Sequence, residues 1–297
     1  MNKARRSKAV ATGRSRAATR TATKRASAKA KVAASRRHAP ADQRYSSEDV
    51  AQVMKLLKGA TSVEIKLSVP AEGHRAAARG IGLDPVEAQL RQAFFFDTAN
   101  LALSRAGLVV RARRFPRGRA DTVIKRRPVD PATIDPKLRR SDSFKVELDA
   151  MPGGAYVCSA SFKGTCASQE VLDVATGAAP LRSLFSSEQL AFYDAHAPKG
   201  VTMDKLLALG PILLLKAKHQ PKDFDRRIVV ELWLYPDGSH ILEVSTKCLP
   251  EEAFQTGAEF RSYITSCGIK IGSIQEAKTR AALQYFKARL DAGLPIG

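Results

Sequence analysis

The 297 residues contain no cysteine pair spaced for a metal knuckle: Cys158, Cys166, Cys248 and Cys267 form no CxxC, and no histidine lies at zinc-finger spacing from them. A structural zinc or a disulfide framework is therefore not expected, and scattered thiols suit a reducing cytoplasm. The five histidines (His38, His74, His196, His219 and His240) are dispersed, without an HExxH pair. A P-loop, a GxGxxG following a strand and a GxSxG elbow are all absent, which removes the commonest nucleotide-binding and hydrolase frameworks. No apolar run approaches the roughly 20 residues that span a bilayer, and no secretory apolar core follows the N-terminus. No membrane partner and a cytoplasmic location are expected.

Residues 1 to 44 lack acid: fourteen Lys or Arg stand against Asp42 alone, with no aromatic residue, Leu or Ile among them. Such a segment cannot bury a core, so residues 1–45 are expected to be a disordered, basic, Ala/Arg/Lys/Ser-rich tail. It shares the Arg and Ser richness of an organelle transit peptide but has poor helical amphipathicity. Two roles stay open: non-specific contact with nucleic acid, polyphosphate or another polyanion through counterion release, or simple solubilisation. The tail holds +13 of the net charge of +20, leaving +7 for residues 45 to 297, and hydrophobic residues make up 44% of the chain. Residues 46–297 are thus expected to fold as one moderately basic domain.

Within that domain, residues 47 to 58 read as a helix capped by Ser46 or Ser47, with Val50, Val53, Met54 and Leu57 along one stripe. The stretch SVEIKLSV that follows alternates, with Glu64 and Lys66 on one face and Val63, Ile65 and Leu67 on the other. LVVRARR puts Arg111 and Arg113 in phase, DTVIKRRP does so for Lys125 and Arg127, and SFKVELD for Lys145, Glu147 and Asp149. ILLLKAKHQ aligns Lys216 with Lys218. Residues 228 to 248 read as a hairpin turned at Asp237-Gly238, with Glu243, Ser245 and Lys247 on one face. Between these strands, residues 152–208 are rich in Ala, Ser and Gly and read as a mostly helical insertion. Two helices close the chain, the last with Ser273 and Glu276 in capping-box register. Trp233 reads as outer packing.

A single strand of this kind turns its charge to water. About seven of them, with helices sufficient to cover only apolar faces, point to charged faces lining a common interior. Buried charges cost several kcal/mol each unless paired or given a ligand. A lining with more bases than acids suits a polyanion, and its carboxylates suit a divalent ion that completes its shell with water and phosphate oxygens.

VEIKLSV, FFFDTANLALSRAGLVVRARR, DTVIKRRP, SFKVELD, ILEVSTK and QEAKTR resemble, in this order, the CYTH family of class IV adenylyl cyclases and thiamine triphosphatases, also called triphosphate tunnel metalloenzymes. The resemblance spans roughly residues 60 to 290, and its FFDT…LVVRARR block is its most specific part. It implies an α+β fold: an antiparallel eight-stranded β tunnel or barrel with helices packed outside. It also implies a triphosphate compound or polyphosphate as partner and Mg2+ or Mn2+ as cofactor. By this likeness Glu64, Glu147 and Glu243 would hold the metal, and Glu64, Lys66 and Lys125 would carry catalysis. By the same likeness Lys66, Arg111, Arg113, Lys125 and Lys278 would grip phosphate, and the strand pattern adds Arg127, Lys216, Lys218 and Lys247 to the phosphate-binding lining.

The family's Glu-x-Glu-x-Lys reads Ser62, Glu64, Lys66 here, and the second Glu of its late pair is Ser245. With two carboxylates replaced, a second metal is in doubt. Three functions follow from the resemblance: a metal-dependent hydrolase of inorganic or nucleoside triphosphate, a class IV adenylate cyclase, or a polyphosphate- or nucleotide-binding module without catalysis. Oligomeric state is not encoded in any motif.

Overall fold

The computed structural model describes residues 46–116, 118–151, 155–271 and 277–296. The basic tail and the capping-box pair Ser273 and Glu276 lie outside them. The first helix, α1 (Ser47–Gly59), starts where Ser46 Oγ accepts from the Asp49 backbone N–H and the Asp49 carboxylate accepts from Ser46 N. Nine strands follow in the order β1 (Ser62–Val69), β2 (Gln89–Asp97), β3 (Leu108–Arg114), β4 (Arg119–Arg126), β5 (Phe144–Met151), β6 (Ala155–Ala167), β7 (Leu207–His219), β8 (Ile228–Leu234) and β9 (His240–Cys248). Helices α2 (His74–Ile81), α3 (Ala102–Arg105), α4 (Ser168–Ala175), α5 (Ser187–His196), α6 (Ala253–Ser266) and α7 (Lys278–Asp291) complete the domain.

The strands close a barrel in the order β1-β5-β6-β4-β3-β2-β7-β8-β9 and back to β1. All neighbours are antiparallel except β1 and β5, which pair in parallel with Glu64 opposite Asp149. The expected eight antiparallel strands are thus corrected to nine in a mixed barrel. The ninth is β6, a 13-residue strand at the head of the segment expected to be mostly helical. It bonds β4 on one side and β5 on the other, so it belongs to the barrel wall. Its Ala/Ser-rich sequence carries little of the β-branched signal that marks strands, and cross-strand pairing decided its state. The helical character expected of the segment begins only at α4.

Two apolar clusters cover the outside. Val63, Phe94, Val110, Ile124, Val146 and Phe162 pack beneath α1, α4 and α5, and Leu67, Ile228, Val230 and Val244 pack beneath α2 and α6. A third cluster lies on the other face of the sheet. Phe95, Ile212, Leu214, Trp233 and Ile241 are in phase with the charged residues of their strands, and α7 sets Ala282, Leu283 and Phe286 against them. Helix α7 therefore plugs one end of the interior, where helices packed only outside were expected. Trp233 belongs to this plug and not to outer packing, because period-two alternation puts it on the same face as Glu231.

Candidate functional site

The motif FFFDTANLALSRAG serves geometry. Buried Asp97 accepts from the backbone N–H groups of Thr98 and Leu103 through Oδ1 and of Ser104 through Oδ2, nucleating α3. The chain then turns through Gly107 at φ 76°, a left-handed conformation that favours glycine. The Arg127 backbone N–H donates to the Gly107 carbonyl at 2.8 Å. A Cβ at residue 107 would stand 2.3 Å from the Arg127 carbonyl oxygen, so this glycine lets the start of β3 dock against the end of β4. Arg111 and Arg127 are positioned by that contact.

The interior divides into a paired part and an unpaired part. In the paired part, Lys66 Nζ lies 2.9 Å from Asp149 and 3.4 Å from Glu64, and Ser245 Oγ donates to the other oxygen of Glu64 at 3.3 Å. Glu147 receives Lys247 at 2.6 Å and Lys163 at 3.2 Å. Glu231 receives Lys216 at 2.7 Å, Lys278 at 2.5 Å and the Trp233 indole N–H at 3.2 Å, and Lys278 also reaches Glu243 at 2.7 Å. Arg113 makes a forked bond to Asp121, its Nη2 2.7 Å from Oδ2. Burial opposes every one of these charges, yet the lysine ammonium groups hold the Glu64, Glu147 and Glu231 carboxyls below their ordinary values.

The unpaired part comprises Arg111, Lys125 and Arg127. Among the described residues none of their side chains makes a hydrogen bond or ion pair, and Arg111 Nε is buried without a partner. Burial and then the like charge of Arg113 push the Arg111 guanidinium down to about 10. Burial likewise lowers Lys125 and Arg127, partly offset by the carboxylate of Asp149. Three part-buried cations thus share one stretch of the lining without an acceptor among the described residues.

Apart from Lys278 on α7, the residues anticipated from the sequence share the charged faces of their strands, but Lys247 is exposed and the associations differ from the expected ones. Lys278 and Lys216 are bound to carboxylates. Lys218 is exposed and in phase with Lys216. Glu64, Glu147 and Glu243 do not converge. Among the described residues no three His, Cys, Asp or Glu side chains stand close enough to hold a metal ion. Each of those three carboxylates already has an ammonium group on it, so Mg2+ or Mn2+ does not fit the donor set as it stands.

Sequence reasoning missed Lys163, Asp121 and the bridging role of Glu231. Lys163 follows Ser159 and Ser161 in a period-two run that was readable in the sequence, but the small residues around it concealed the strand. Asp121 is in phase with Lys125 two alternations later.

The strands thus close a barrel whose interior carries more basic than acidic side chains. A scan against protein-family models finds no match, and a search of curated proteins finds none either. Solved structures do match. A candidate adenylyl cyclase of Hippeastrum, described as having a dominant triphosphatase activity, aligns with 78% of this chain and 96% of its own at 14% identity and a TM-score of 0.52. A candidate adenylate cyclase of Bacillus halodurans aligns with 74% of this chain and 98% of its own at 13% identity, also with a TM-score of 0.52. The chain shares the fold of these proteins, a closed β barrel with helices as the CYTH resemblance implied, though with nine mixed strands in place of eight antiparallel ones.

Proposed function

We propose that this protein takes a linear triphosphate into the barrel and hydrolyses its terminal phosphoanhydride bond. The observation that carries the proposal is the part-buried set of Arg111, Lys125 and Arg127, whose side chains have no acceptor among the described residues and of which Arg111 Nε is fully enclosed. Charges so placed are costly unless an anion completes them, and a phosphate chain supplies several negative oxygens to share among three donors. The triphosphatase described for the Hippeastrum protein supports the choice of reaction.

In this reading Arg111, Lys125 and Arg127 hold the phosphates and stabilise the charge that grows on the leaving diphosphate. Lys66 lies near enough to Lys125 for their like charges to act on each other. A water attacks the terminal phosphorus, the bond to the bridging oxygen breaks, and orthophosphate and diphosphate result. Glu64 is kept ionised by Lys66 and Lys247 against its burial, so its carboxylate can accept the proton of the attacking water. The magnesium or manganese implied by the resemblance does not fit the carboxylates as arranged, and these steps use only the chain's own groups. Residues 1–44 are assigned a lesser part, a non-specific polyanion contact.

The test is orthophosphate and pyrophosphate release from tripolyphosphate and from ATP, in EDTA and then with Mg2+ or Mn2+, for the full chain and for Arg111→Gln and Glu64→Gln. Orthophosphate release that both substitutions abolish is expected. Pyrophosphate from ATP would move the protein to the cyclase reaction. Tight binding without product would leave a binding module.

A further inference from the structure

Glu231 and Glu243 stand directly opposite each other on β8 and β9, and both are 7% exposed. Two carboxylates in facing cross-strand positions repel, the more so in a lining that excludes water, unless a cation lies between them. The cation here is Lys278, its Nζ 2.5 Å from Glu231 and 2.7 Å from Glu243. Lys216 takes the other oxygen of Glu231, so two negative and two positive charges balance.

Lys278 is also fixed at its backbone. It is the first residue of α7, its carbonyl accepts from the Tyr235 hydroxyl at 3.1 Å, and Ala282, Leu283 and Phe286 lock the helix into the barrel. Its ammonium lies 5.2 Å from the centre of the Trp233 ring, which adds a cation–π contact.

We propose that Lys278 is a built-in substitute for a divalent cation: it fills a carboxylate pair that would otherwise hold Mg2+ or Mn2+. The tunnel therefore binds its anion without a metal, and a divalent-cation site at Glu231 and Glu243 is latent beneath the lysine. Two carboxylates with room for water and phosphate oxygens are the donor set that a hard divalent ion accepts. With Lys278 in place, such an ion would have to displace an anchored ammonium from a locally neutral cluster. The anion-binding half of this proposal rests on the triphosphate reading, and the metal half does not.

Manganese binding to the full chain, followed by the loss of the free-ion electron paramagnetic resonance signal without phosphate, tests the metal half. The wild type should show no stoichiometric site. Lys278→Met should acquire one at least tenfold tighter than any wild-type binding, and Lys278→Met combined with Glu243→Gln should lose it. A stoichiometric manganese site in the wild type, or none in folded Lys278→Met, would overturn the proposal. Should Lys278→Met not fold, the wild type decides by calorimetry with tripolyphosphate. Affinity in EDTA equal to or greater than that with Mg2+, and weakened about 10- to 100-fold in Arg111→Gln, supports the substitute cation. Binding that needs Mg2+ refutes it. If tripolyphosphate binds under neither condition, the triphosphate reading fails, and the wild-type manganese titration still decides here, a stoichiometric site refuting the substitute cation and its absence supporting it.

Discussion

The two parts of the barrel interior have the same ingredients and opposite bookkeeping. On β1, β5, β8 and β9, each carboxylate has at least one lysine: Glu64 and Asp149 share Lys66, Glu147 has Lys163 and Lys247, and Glu231 and Glu243 share Lys278. At β3 and the end of β4, Arg111, Lys125 and Arg127 have no acceptor among the described residues. The paired part behaves as structure, because removing either partner strands the other in a low dielectric. The unpaired part is the proposed phosphate seat, whose cost would fall when an anion arrives.

The largest break in this comparison is expected from Glu231→Gln, which leaves Lys278 and Lys216 without their shared carboxylate. Losing one partner of a buried pair costs roughly 3–5 kcal/mol, to be read as a shift in the urea midpoint. Equal stability in that variant would dissolve the distinction between the two parts. Acid should act on the same part. The folded Glu231 and Glu147 carboxyls lie below their ordinary value of 4.5, so their contribution is present above that pH and is lost as pH falls through the lower folded values. A stability profile that stays flat below pH 4.5 would contradict the lysine pairing.

The unpaired part should respond to ligand. Tripolyphosphate at a hundred times its dissociation constant should stabilise the protein by about 2.7 kcal/mol, visible as a raised melting temperature. Arg111→Gln should weaken tripolyphosphate binding about 10- to 100-fold, the equivalent of roughly 1.5–3 kcal/mol for hydrogen bonds to a charged group. It should leave the free protein as stable or more so, since it removes a buried guanidinium that burial has already pushed down to about 10. A destabilised Arg111→Gln would mean that Arg111 has a structural partner. The smallest effect is expected from Lys218→Ala: the side chain is exposed, and stability should stay within about 0.5 kcal/mol.

Much of the interior was legible because alternation is local. Glu64 and Lys66, Arg111 and Arg113, and Glu243, Ser245 and Lys247 each share a face as a matter of backbone period, and the strands that carry them formed where the pattern put them. The turn at Asp237-Gly238 was legible for the same reason, Gly238 taking φ 83°. The strand β6 was not, since Ala, Ser and Gly carry weak local preference and only pairing with Lys125 and Glu147's neighbours holds it extended. Nor was the place of α7: its apolar stripe reads the same whether it covers the outside of a barrel or stops its end.

By itself the sequence determined the charges, their faces and the basic excess, because these depend on residue type and a period of two. It also determined the Asp97 turn, a short-range matter of backbone hydrogen bonding, whereas Gly107 is required both by its φ of 76° and by the docked Arg127 carbonyl. The tertiary structure alone decided which charges meet. Lys278 and Glu243 are 35 residues apart, and Lys247 and Glu147 are 100 apart. Ion pairing falls off within a few ångströms, so closure of the barrel and insertion of α7 assigned partners to Glu64, Glu147, Glu231 and Glu243 and left Arg111, Lys125 and Arg127 without one among the described residues.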